Sequence, residues 1–168
     1  MTEAVVAEYL RMLEDAFRRP PSPDGDTHSL LGNLDSAPAE ALDWLPDRGA
    51  RSIREIVLHV GWAKYMYDDH AFRGGTMRGD QAPAFGEVGA SSTTDELAAW
   101  LTRAHEQLIE SAGQLCDSDL DGPRQSNWGE TKTARWVFQT MLEHDIYHAG
   151  EINHLRALFM KADRWAYL

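Results

Sequence analysis

Thr133-Ala-Arg-Trp-Val137, followed by Leu142-Glu-His-Asp-Ile-Tyr-His-Ala-Gly-Glu-Ile152, is the stretch whose reading decides the fold. Val137, Met141, His144, His148, Ile152, Leu155 and Phe159 recur at steps of three and four, the spacing of one face of an α-helix. A helix is therefore expected from Thr131 or Thr133 to about Met160. Two positions on that stripe carry imidazole where their neighbours carry hydrocarbon. Four residues advance nearly one full turn, so His144 and His148 project from the same face toward the core. Two ring nitrogens placed in this way can reach a common ion at about 2 Å, the usual zinc–imidazole distance.

Working outward, the same periodicity appears three more times. Val6, Tyr9, Leu10, Leu13, Ala16 and Phe17 mark a helix from about Glu3 to Arg18, ended by Pro20, Pro21 and Pro23. Ser52 with Glu55 forms a capping box ahead of Ile53, Ile56, Val57, Val60, Ala63 and Tyr67, and Gly74 and Gly75 close that helix. Thr93 with Glu96 opens another over Leu97, Trp100, Leu101, Ala104, Leu108 and Ala112. No Val/Ile/Thr-rich run alternates with period two, so no strand is expected. The fold class is all-α: a four-helix bundle, each stripe facing a shared core. Long connections, Arg19 to Arg51 (with a helical turn near Ser29 to Leu34) and Phe72 to Ser92, separate helices one from two and two from three. Connections of that length can cross the bundle.

The chain has 168 residues, which suits one domain spanning 1–168 with a core large enough to need no disulfide staples. Cys116 is its only cysteine, which rules out an intrachain disulfide and a Cys-rich zinc site. We read it as a small, semi-buried side chain. The formal net charge of -11 argues against broad nucleic-acid binding, because phosphates require a basic face. It also disfavours an anionic membrane surface. With no apolar run of spanning length and an acidic start in MTEAVVAEYL, a cytoplasmic location is expected.

A third ligand should come from another helix. His59 is best placed, at the edge of the helix-two stripe near Ile56, Trp62 and Ala63. His28 falls in the first connection and His70 at the end of helix two. His105 lies beside the helix-three stripe, facing partly outward, and His154 is rotated off the line of His144 and His148. Solvated or capping roles suit these four.

The quoted run resembles the last helix of the DinB/YfiT-like superfamily. Ser52-Ile-Arg-Glu-Ile-Val-Leu-His59, preceded by Leu42-Asp-Trp-Leu-Pro46, resembles that superfamily's second helix and its lead-in. The resemblance implies a bundle of up-down-down-up topology, often dimeric, with metal held by one histidine of helix two and the H-x-x-x-H pair of helix four. The implied ligands are His59, His144 and His148. Many relatives have Gln where this chain has Glu151, three residues beyond His148. Glu151 is therefore a candidate partner of His148, fourth ligand or base, against the plainer reading of a bundle-edge carboxylate. Asp145 either orients a ring or faces water. Tyr147 and Trp62 either line a pocket or pack.

Three neutral imidazoles leave an ion its full charge and an open position, the pattern of a catalytic site. The expected cofactor is one divalent ion, zinc first and nickel second. Such an ion either makes hydroxide available near neutral pH, predicting hydrolysis, or binds a thiol as thiolate, predicting transfer or isomerisation. The resemblance favours the second: an S-transferase or isomerase using a low-molecular-weight thiol cosubstrate on a small electrophile. A metal-dependent hydrolase and a non-catalytic, metal-stabilised binding or homodimerisation bundle are the alternatives.

Overall fold

The computed structural model describes residues 4–19, 29–47, 51–81 and 87–162. His28, Glu3 and the prolines at 20, 21 and 23 lie outside them. Four long helices form where the stripes place them: α1 (Ala4–Arg18), α3 (Ile53–Phe72), α4 (Thr94–Ala112) and α5 (Ala134–Met160). The short helix α2 (Leu30–Asp35) fills the helical turn expected in the first connection, with the Ser29 hydroxyl accepting from the Gly32 amide at its N-terminus. Both capping boxes form. Ser52 accepts from the Glu55 amide while Glu55 accepts from the Ser52 amide, and Thr93 pairs with Glu96 in the same manner. These reciprocal bonds satisfy donors that a helix start otherwise leaves open. Thr133 caps α5 by accepting from the Trp136 amide. No described helix is long and apolar enough to cross a membrane.

One expectation fails. Pro123–Gln125 (β1) pairs antiparallel with Thr131–Thr133 (β2), a ribbon that leads directly into α5. Each strand has three residues, too few to show an alternating pattern, and neither is apolar. Gly129 turns the ribbon at φ +86°, a conformation that side chains resist.

Helix α3 packs most extensively on α4, and α5 lies against α1, α2 and α3. Gly61 allows the close approach of α3 to α4. A Cβ there would sit 2.1 Å from Cη2 and Cζ3 of Trp100, which is wholly buried. Gly61→Ala should therefore destabilise the protein by about 1–3 kcal/mol through overpacking, as read from urea denaturation midpoints.

The core divides into two apolar clusters. One gathers Phe17, Leu34, Ile56, Val60, Trp100 and Ile152; the other gathers Val6, Leu13, Tyr67, Leu108, Phe138 and Met141. Along α5 the residues between Leu142 and Ala149 separate these clusters, and His144, Asp145 and His148 all lie there. The buried guanidinium of Arg54, at the start of α3, gathers both long connections. It donates to both carboxylate oxygens of Asp43 in the first, at 2.6 and 2.9 Å, and to the carbonyls of Gly89 and Ser92 in the second, at 3.1 and 2.6 Å.

Candidate metal centre

His59 on α3 meets His144 and His148 on α5 across the interface of the two helices. Nε2 of His59 and Nε2 of His144 are 3.1 Å apart, and the ligand nitrogens of the three rings all lie within 4.8 Å of one another. An ion with Zn–N bonds of about 2.0–2.1 Å in tetrahedral geometry sets its ligand nitrogens about 3.3 Å apart. The His59–His144 separation is already close to that value.

The electrostatics favour neutral rings with free lone pairs. Burial pushes the His144 pKa down to about 3, and the neighbouring His148 and His59 push in the same direction. Burial also lowers His59, assisted by His148 and Arg51. For His148 burial again lowers the pKa, opposed by its bond to Glu151. Deprotonated imidazole is the form that binds a metal.

Glu151 has a defined position. Its Oε2 accepts from Nδ1 of His148 at 2.6 Å, which places the proton on Nδ1 and leaves the lone pair on Nε2. This is the carboxylate–histidine arrangement common beside metal ligands. Glu151 is in turn gripped by Nη2 of Arg51, at 3.3 Å to each oxygen. The bundle-edge reading of Glu151 is thus replaced by a contact with the triad. Nδ1 of His144 is buried without a hydrogen-bond partner, so that ring's polar contact is the one through Nε2. Nε2, the nitrogen that meets His59, is the atom of this partly buried ring placed to share an ion.

A family model described as DinB superfamily matches residues 24–152. The chain belongs to the DinB superfamily. No curated protein matches it. Within this DinB-superfamily chain, the match covers the whole of α3, where His59 lies, and the part of α5 that carries His144, His148 and Glu151.

Other expectations need revision. Asp145 does not face water, and among the described residues its hydrogen bond goes to Lys64 and not to a ligand ring. It is fully buried, and its Oδ2 accepts from Nζ of Lys64, also fully buried, at 2.6 Å. Lys64 donates as well to Nδ1 of His105 at 3.2 Å, and His105 stacks on Phe17 with ring centres 3.8 Å apart. His105 therefore faces inward, not partly outward, and burial drives its pKa far down. Lys64 went unnoticed in the sequence although the signal was there, since it falls on the apolar line four residues after Val60 and three before Tyr67. Tyr147 is 62% exposed beside His148, so it does not pack in the core, and Cys116 is exposed, not semi-buried. Trp62 is partly buried and its indole N–H donates to the Gly79 carbonyl at 3.0 Å. His70 bonds the Met77 carbonyl at 2.8 Å and His154 is exposed, both away from the triad as expected.

Proposed function

We propose that His59, His144 and His148 hold one divalent metal ion, zinc first and nickel second. On this reading the protein is a metal-dependent enzyme, a thiol S-transferase or isomerase acting on a small electrophile. The observation that carries the proposal is the convergence of three neutral imidazoles from two helices, with 3.1 Å between two of the nitrogens. An ion there would supply a Lewis-acidic centre that favours the deprotonated form of a thiol or of water. The chain's own contribution is placement. Glu151 holds the His148 ring in one tautomer, and Arg51 holds Glu151. His59 and His144 are only partly buried, which favours access by a substrate over a sealed structural ion.

The helix order that we infer is up-down-down-up. Supporting it, α3 and α5 make contacts that run in opposite chain directions, from Arg51–Glu151 to Tyr67–Trp136. Those of α3 with α4 run in the same direction, from Arg54–Ser92 to Arg73–Ser111. Those of α1 with the α4 region run oppositely, from Val6–Asp117 to Arg18–Glu106. The reading also places the protein in the cytoplasm, as a homodimer with a small-molecule partner and no nucleic acid.

Glu151→Gln keeps an acceptor for His148 but removes its charge. Zinc affinity should fall by about tenfold, at the low end of what such partners contribute, as read by competition with a chromogenic chelator.

The reaction itself is tested by offering a panel of small electrophiles to the zinc-loaded protein with several low-molecular-weight thiols. Conjugation or isomerisation that needs both metal and thiol is the expected result. Turnover with water alone would establish the hydrolase instead. No turnover with any electrophile would leave a metal-stabilised binding bundle.

A further inference from the structure

One cavity lies next to the triad without containing it. It encloses about 290 Å³, close to the lower end of the range for small-molecule sites, so its occupant must be compact. Ile56, Leu155 and Leu158 supply an apolar wall; Arg51, Glu151 and His154 supply the polar end. Ile56 is one helical turn before His59, and Glu151 is one turn after His148. The cavity therefore opens within a turn of ligand residues on both helices.

Arg51 is the group with capacity to spare. A guanidinium has five N–H donors, and here Nη2 alone is engaged, by Glu151, with Nε and Nη1 bonded to no described residue. The Arg51–Glu151 contacts of 3.3 Å are long for charge-assisted bonds, which ordinarily measure about 2.7–2.9 Å. The side chain is also partly open to solvent. Charge points the same way. The chain as a whole carries -11 and would repel an organic anion, so such a ligand needs a local positive centre. Arg51, at the polar end of the cavity, is one.

We propose that this cavity is the subsite for a small organic carboxylate, held by Nε and Nη1 of Arg51 with its carbon body against Ile56, Leu155 and Leu158. The planar fork of the guanidinium matches a carboxylate in a way that an ammonium does not. The role of the subsite, binding the acidic electrophile beside the metal, rests on the function proposed above; the binding does not.

The test uses the full chain, isotopically labelled, in metal-free and zinc-loaded forms, titrated with sodium hexanoate and separately with 1-hexanol while amide resonances are followed. Hexanoate should perturb residues 51–56 and 151–158 saturably and bind about tenfold more tightly than hexanol, since only the acid makes a charged hydrogen bond. Arg51→Gln should reduce hexanoate to the level of hexanol, with Arg51→Lys intermediate. Leu158→Glu, at an exposed position, should abolish hexanoate binding by placing a carboxylate in the cavity. The proposal is overturned by no binding, by equal affinity for acid and alcohol, by an Arg51→Gln protein that binds hexanoate as the wild type does, or by perturbations centred elsewhere. Hexanoate binding in the metal-free form with no zinc uptake would sink the metalloenzyme reading and leave the subsite standing.

Discussion

Lys64→Met is expected to destabilise the fold by about 3–5 kcal/mol, the scale for stripping one partner from a buried ion pair. Lys64 and Asp145 are both 0% exposed, and the 2.6 Å bond between them joins α3 to α5. Methionine fills the volume but leaves a carboxylate in the core, with Oδ1 already lacking a hydrogen-bond partner. Burial raises the Asp145 pKa while Lys64 lowers it, so removing the ammonium leaves only the upward push. The single variant should then lose less stability in acid, where Asp145 takes up a proton, than at neutral pH. The double variant Lys64→Met/Asp145→Leu removes both charges and should recover most of the loss. Urea denaturation of the three proteins at pH 5 and pH 8 gives the comparison. A double variant no more stable than the single one would mean that the pair holds the helices by shape, not by charge.

His148→Ala should reduce bound zinc from about one ion per chain to none that survives dialysis, as read by elemental analysis of protein purified without a nickel column. Two imidazoles remain, but the open form of the site rests on three protein ligands. The same variant should lose ligand-linked stabilisation. Zinc at a hundred times its dissociation constant should stabilise the wild type by about 2.7 kcal/mol, and the variant by close to nothing. Equal metal content in the two proteins would remove His148 from the site.

Much of this was legible because the signals are local. Capping boxes at Ser52 and Thr93 and the apolar stripes of α1, α3, α4 and α5 are set by residues three and four apart, and the helices begin and end close to where those patterns do. The histidine pair on α5 stands out by the same periodicity. The meeting of His59 with that pair depends on how α3 docks on α5, yet its position at the edge of a stripe already singled it out as third ligand, and the family resemblance agreed. What stayed hidden depends on partners distant in the chain. Asp145 gives no local hint of Lys64, 81 residues away, nor Glu151 of Arg51, 100 residues away. The β1–β2 ribbon escaped because three residues are too few to display a period.

His59 and His144 are 85 residues apart in the chain. At synthesis rates of about 5–20 residues per second, the first is made about 4–17 s before the second. A growing chain that ends before α5 carries one member of the triad, His59, and lacks the pair that completes the set of three. On the proposed reading, the three-ligand site exists only once α5 has been made and has docked on α3.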